Sequence, residues 1–379
     1  MANHSDSERL EPEASIRDEI LEQGPVTFAR FMELCLYHPV HGYYTRGGGR
    51  IGRDGDFFTV SDVGTYFGAC IARQLQEMDD VLGNPEPFRL LEFGGGRGLL
   101  AKDILDTIGA GEESFRGRMR YTLVDRSAGM REMAAGEVHT VSAEELPAEP
   151  AGSGCVVAVE LFDALPVHRV VRRDGSLREI RVGLDRGGEL ASVEVEPTEE
   201  VAAYAGRYDV ASGEGQEAEV CLAAEAQFNR MASTLESGFM ILVDYGHPAA
   251  QLYDASRPRG TLLAYHRHKT NEEYYSRVGD QDLTAHVNWS GLTDHAAAAG
   301  WRRLALTTQD RFLVANGILE LFEARDEADW QDPESVKRRL KAMQLIHPEG
   351  MGRMFQVLVL YRGSGDLPRL GGLEDPYRR

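Results

Sequence analysis

Four acidic residues stand at the ends of short apolar runs, and the first leads into alternating glycines. Glu92 closes FRLLE, and Gly94, Gly96 and Gly98 then occupy every second position before the apolar run that starts at Leu99. Asp125 follows YTLV, Glu160 ends VVAVE with Asp163 three residues on, and Asp244 ends MILVD. Glycine admits positive φ and lets a ligand approach the backbone. A helix opening near Leu99 turns its free N–H groups toward an anionic group held in the loop. Asp125, at the end of a second strand, suits the acceptance of hydrogen bonds from the two hydroxyls of a ribose. A single strand-end carboxylate is often only a cap or a loop anchor. Four in succession weaken that reading.

The spacing separates two kinds of cofactor. A dinucleotide fingerprint G-x-G-x-x-G started at Gly94 needs glycine where Leu99 stands, and started at Gly95 it needs glycine where Arg97 stands. An NAD-dependent enzyme is disfavoured on that ground. The pattern present, acid-x-Gly-x-Gly-x-Gly, resembles the first motif of S-adenosyl-L-methionine (SAM) methyltransferases. Its ligand carries no pyrophosphate, so the helix N-terminus would receive a carboxylate. The expected cofactor set is Glu92, Gly94, Gly96, Gly98 and Asp125. The plain alternative is a glycine-rich turn with no ligand.

The elements that must position these groups alternate. Strands are expected at Phe88–Phe93, Arg120–Val124, Cys155–Glu160 and Gly238–Asp244, with later ones at Trp301–Thr308 and Met354–Tyr361 around a helix near Asn316–Ala324. Strand and helix in alternation predict a mostly parallel α/β sheet with helices on both faces. Ligands of such sheets bind beyond the carboxyl ends of the strands. Ser15–Leu36 reads as two short helices parted by Gly24-Pro25, and Phe67–Val81 and Ala218–Leu235 read as helices. Val170–Val195 alternates like a polar hairpin, with turns at Asp174-Gly175 and Gly187-Gly188. The resulting organisation is a disordered tip over residues 1–14, an N-terminal cap and lid over 15–84, and a core in two parts, 85–170 and 216–363. An accessory lobe inserted at 171–215 and a tail over 364–379 complete it.

Tyr37 to Tyr66 is long, aromatic and glycine-rich, which predicts an ordered functional loop or a packed structural one. His41, Tyr43, Tyr44 and Asp56 could form a lid over a cofactor, with Gly47-Gly48-Gly49 as hinge, and Tyr44 and Asp56 are expected to join the cofactor-binding set.

Composition sets limits. With 379 residues, 42% of them apolar, the chain can bury a full core. A formal net charge of −20 argues against nucleic acid or an anionic membrane as the main partner and is compatible with a basic substrate. No apolar run reaches the length of a membrane span, and the polar, acidic start resembles neither a signal nor a transit peptide, so a cytoplasmic protein without membrane insertion is expected. Cys35, Cys70, Cys155 and Cys221 lack the spacing of a disulfide framework or a zinc site, and no metal is expected. An oligomer is compatible with all of this.

LEFGGGRGLL, VELFDALPVHRV, LVDYGHP and QDLTAHVNWSGL, together with YHPVHGYYTR and GDFFTVSDVGTYFG, resemble the MidA family in the same order over about Thr27 to Tyr361. That family includes a protein-arginine methyltransferase of mitochondrial complex I assembly. The resemblance implies a class I SAM-methyltransferase core, Rossmann-like, with an N-terminal helical cap, and a protein partner with an accessible arginine. This chain has Gly95 where the family often has proline or alanine, a departure expected to leave the turn undisturbed. For an arginine acceptor, carboxylates must orient a guanidinium and take its proton. Glu160 and Asp163, within one short loop, are the candidates, with His286 of LTAHVNW touching substrate or supporting a carboxylate. The alternative is a non-catalytic SAM-binding assembly or chaperone factor.

Overall fold

Phe88, Leu90 and Leu91 make Phe88–Phe93 apolar enough to be buried on both faces, as a strand inside a helix-covered parallel sheet must be. In the computed structural model, which describes residues 11–46, 60, 65–147, 149–323 and 332–377, this strand is central. We label it β1, and the strands that follow it in its sheet β2 (Met119–Val124), β3 (His139–Val141), β4 (Ser153–Val159), β5 (Ser237–His247), β6 (Arg302–Thr308) and β7 (Phe355–Arg362). They lie side by side in the order β6-β7-β5-β4-β1-β2-β3. The β1–β2, β1–β4, β2–β3 and β4–β5 pairs are parallel, and β7 runs antiparallel to both β5 and β6. The chain moves outward from β1 through β2 to β3 and then returns to place β4 on the other side of β1. That reversal is a topological switch point, where open α/β sheets hold their ligands.

Contacts divide the chain into two compact units, each made of three segments. The sheet unit comprises Phe58–Leu161, Phe228–Gly246 and Leu292–Arg379. Its core joins Phe88, Leu90, Val157, Ile241 and Val359 of the strands to Phe67, Cys70 and Leu75 of helix Tyr66–Val81 and to Leu100, Ile104 and Ile108 of helix Leu99–Gly111. The second unit comprises Met1–Phe57, Phe162–Gln227 and His247–Gly291. In it Ser176–Leu184 pairs with His168–Arg173, with Leu190–Val195 and with Val26–Thr27, while Glu217–Val220 extends the sheet beyond His168–Arg173. One of its cores gathers Phe28, Phe31 and Leu36 of helix Phe28–Tyr37 with Val182 and Leu283, and another gathers Val170, Val201 and Val220.

Several elements depart from the sequence reading. Residues 11–14, expected in a disordered tip, belong to helix Glu11–Gln23. The stretch expected as one helix from Ala218 to Leu235 divides into strand Glu217–Val220 and helix Ala223–Ala232, because pairing with His168–Arg173 overrides helical propensity. The helix expected near Asn316–Ala324 is present as Ile318–Glu323, and a further helix, Gln309–Ala315, precedes it, the two parted at Gly317 with φ +80°. The weakly periodic stretch after Pro197 contains helix Glu199–Tyr208, capped by the Thr198 side chain. The compact units also cross the expected linear boundaries. Residues 171–215 share a sheet with the N-terminal Val26–Thr27, and the expected 15–84 segment is divided between the units.

Candidate active site

β1, β2 and β4 end level, since Phe93 is in register with Val124 on one side and Ala158 on the other. Their carboxyl ends therefore present Glu92 with the glycine turn, Asp125 and Glu160 around the switch point. The Gly94 N–H donates to the Val124 carbonyl at 2.8 Å and continues the ladder into the turn. Gly94, Gly96 and Gly98 have φ of +73°, +53° and +76°, a region that L side chains rarely occupy. Gly98 starts helix Leu99–Gly111 in the left-handed conformation, and no side chain caps that end. Such a helix N-terminus receives a carboxylate well.

Asp125 ties the two turns together. One of its oxygens accepts the Gly96 N–H at 3.0 Å and the other the Ser127 N–H at 2.8 Å. Burial raises its pKa, while the Ser127 and Gly96 N–H groups oppose the rise. A Cβ added at Gly94 would come within 3.0 Å of Leu161 and one at Gly98 within 3.0 Å of Ala134, whereas at Gly96 it would meet nothing within 4 Å among the described residues. The turn is thus packed on its flanks and open at its middle. That shape fits a cofactor lying along the Gly96 backbone.

Glu92 is 3% exposed and accepts the Tyr121 hydroxyl at 2.8 Å. Burial pushes its carboxyl up to about 7, opposed by the Tyr121 hydrogen bond and aided by the charge of Asp125. Tyr121 escaped the sequence reading. The available signal was a tyrosine inside the buried strand MRYTLV, whose hydroxyl needs a partner.

Glu160 follows β4 rather than ending it, at φ +53°. Its N–H donates to Val243 at 2.9 Å, and its Oε1 accepts the Val60 N–H at 2.6 Å. Asp244, expected at a strand end, lies inside β5 opposite Gln356, and it is buried.

The chain passes into the second unit between Leu161 and Phe162, so Asp163, Tyr44 and His286 belong there. Asp163 is 6% exposed, and its carbonyl accepts the Ala285 N–H at 3.0 Å. Tyr44 stacks on Tyr37 at 5.6 Å and donates to buried Asp282 at 2.9 Å. Tyr265 is in register with Asp282. Burial raises the pKa of both Tyr44 and Tyr265, and the charges of Asp163 and Asp282 add to the rise. Asp282 carries a role in this cluster that sequence reasoning missed.

The His286 N–H donates to Thr261 at 3.0 Å, and its ring lies 5.5 Å from that of His247. Arg257 contacts the His247 Nε2 at 3.0 Å, which makes that nitrogen an acceptor. Burial pushes His286 down to about 4, helped by His247 and Arg257, so its ring is neutral near pH 7. Asp56 and the hinge glycines Gly47, Gly48 and Gly49 lie outside the described residues.

Among the described residues no cluster of His, Cys, Asp or Glu side chains is arranged to hold a metal, and no helix is long and apolar enough to cross a membrane.

Residues 70–307 match the family described as "Putative S-adenosyl-L-methionine-dependent methyltransferase". The chain is 28% identical to the mitochondrial protein arginine methyltransferase NDUFAF7 homolog of Drosophila melanogaster, over 92% of this chain and 84% of that protein. It is 25% identical to the human mitochondrial protein arginine methyltransferase NDUFAF7, over 90% and 81%. A Burkholderia thailandensis crystal structure bound to S-adenosyl-homocysteine (SAH) superposes with a TM-score of 0.84 at 28% identity, covering 100% of this chain and 98% of that one. These relatives correct one expectation. The polar N-terminus was read as that of a cytoplasmic protein, and the curated proteins it matches are mitochondrial, so that assignment is withdrawn. The glycine turn open at Gly96, the acids at the level ends of β1, β2 and β4, and the matched family model agree: the chain belongs to this family of SAM-dependent methyltransferases, the MidA family, and is an enzyme that uses SAM.

Proposed function

We propose that the enzyme methylates arginine in a protein partner, with Glu92, Gly94, Gly96, Gly98 and Asp125 holding the cofactor. The observation that carries the catalytic assignment is Glu160. A glutamate at φ +53° is held in a costly conformation by Val243 and Val60, at the carboxyl end of the strand beside the glycine turn. Such strain is concentrated where function requires a side chain to be aimed.

Bound SAM supplies an electrophilic methyl group on a sulfonium that departs as a neutral thioether. The protein's tasks are alignment, exclusion of water and removal of one proton from a guanidinium that is protonated in water. Glu160 is assigned to orient the guanidinium, localise its charge and accept that proton. Asp163, buried beside the tyrosines of the second unit, is assigned to hold the acceptor's positive charge. His286, neutral near pH 7, is assigned a supporting contact rather than a proton-carrying role. The names of the curated relatives support the choice of arginine, and the acidic surface favours a basic partner.

The test combines labelling with substitution. The protein incubated with radiolabelled SAM and cell lysate should label a protein, and mass spectrometry should place the methyl group on arginine. Glu160→Gln should keep SAH binding by calorimetry while transfer falls by roughly 10²-fold or more, the scale of a lost acid–base group. Lost SAH binding would move Glu160 to the cofactor set. Full activity in both Glu160→Gln and Asp163→Asn would remove these residues from catalysis.

A further inference from the structure

Tyr121 sits on β2, in register with Leu90, while Glu92 is in register with Leu123 two residues on. Residues two apart share a face of the sheet, so Leu90, Glu92, Tyr121 and Leu123 line one face. The phenol reaches along that face toward the carboxyl end and donates to the Glu92 Oε2 at 2.8 Å. Both side chains are withdrawn from water, Tyr121 being 8% exposed. Directly above them is Gly95. A Cβ built there would lie 2.7 Å from the Glu92 carboxyl carbon and 2.7 Å from the Leu123 side chain. Glycine at this position therefore leaves room for the Glu92 carboxyl beneath the turn. The space is filled by Glu92.

We propose that Tyr121 is a positioning residue for the cofactor: its hydroxyl holds the Glu92 carboxylate against the underside of Gly95, and so sets the turn on which SAM lies. A carboxylate kept ionised beneath the turn attracts a cationic ligand, and the phenol is the donor that favours its ionised form. The titratable and charged groups acting on Glu92 are Tyr121 on β2 and Asp125 beyond it, and Cys155 on β4 faces the same phenol. Burial and Asp125 favour the protonated acid, while the Tyr121 hydrogen bond works against both. Removing the hydroxyl must raise the pH at which Glu92 ionises.

The experiment measures SAM affinity by calorimetry from about pH 6 to 9 in the full chain without a methyl acceptor, with circular dichroism to verify folding. In the wild type, affinity should rise with pH through the Glu92 transition. Tyr121→Phe should weaken binding near pH 7 by roughly tenfold, the scale of one hydrogen bond to a charged group, and move the midpoint upward. In a Glu92→Gln background the pH dependence should vanish and Tyr121→Phe should add almost nothing, the mark of two groups acting as one. An unchanged midpoint in Tyr121→Phe, or an equal loss in the Glu92→Gln background, would overturn the proposal and leave Tyr121 a packing residue. A wild-type affinity that is flat with pH would overturn it as well. None of these outcomes bears on the methyl acceptor.

Discussion

In the proposed cofactor site, Gly96 separates the backbone's part from that of the side chains. Its φ of +53° is strained for any L residue and costliest for a β-branched one, yet a Cβ there meets no neighbour among the described residues. Gly96→Val should therefore cost only about 1–3 kcal/mol of stability, the scale of one strained residue. Its larger effect should be on the ligand, because the new side chain occupies the open middle of the turn and the shifted N–H releases Asp125. Calorimetry should show SAH affinity reduced by at least roughly tenfold while circular dichroism remains that of the wild type. Unchanged affinity would mean that the cofactor does not lie along this backbone. The glycines, Glu92 and Asp125 were legible because motif spacing is local. Tyr121 was not, because nothing in MRYTLV says which neighbouring strand ends in an acid.

Helix Tyr66–Val81 is anchored by one charge pair as well as by its apolar face. Asp79 lies in its last turn, where the macrodipole disfavours an acid. Arg118, the last residue of helix Glu113–Arg118 before β2, compensates with a two-pronged contact, one prong at 2.9 Å, and also donates to the Pro85 carbonyl at 3.0 Å. Asp79 is buried and Arg118 partly exposed, so removing Asp79 leaves the guanidinium without its nearest counterion. Asp79→Ala should lower stability by about 2–4 kcal/mol, seen as a melting temperature reduced by several degrees. SAH affinity at a temperature where the protein is folded should hold, since this pair lies at the amino end of β2, away from Asp125. A variant that melts like the wild type would show that helix and strand do not need the pair. The helix itself was legible from its 3.6-residue period, but its ionic anchor was not, because Asp79 and Arg118 are 39 residues apart.

For the whole molecule, 61 acidic against 41 basic residues give a field that draws in cations. Long-range attraction between exposed charges is screened within about 10 Å at 0.1 M salt. The KM for an arginine-rich peptide should then rise roughly threefold or more between about 0.05 and 0.3 M salt, through slower association. SAH affinity should change less, since the partners proposed for it are buried or lie in the backbone. Steady-state kinetics and calorimetry over the same salt series check this. Equal salt sensitivity of the two would remove the acidic surface from substrate capture.

The strand–glycine–helix unit from Phe88 to Gly111, and the positions of Glu92, Asp125 and Glu160 at or beside strand ends, are legible in the sequence alone. Both are encoded in local apolar periodicity and in the φ freedom of glycine. Tertiary pairing was needed to show that β4 returns to the far side of β1, which places Glu160 beside the glycine turn, and that Glu160 turns out of its strand at a positive φ. It also decided that Val26 pairs with Val182, so that the N-terminal helices and the expected insertion make one unit, and that Ala218 to Val220 is strand rather than helix. The reason is the same in each case. Strand partners are chosen by hydrogen bonding and burial between residues far apart in the chain, and a local pattern of apolar and polar side chains carries no record of which distant strand will satisfy it.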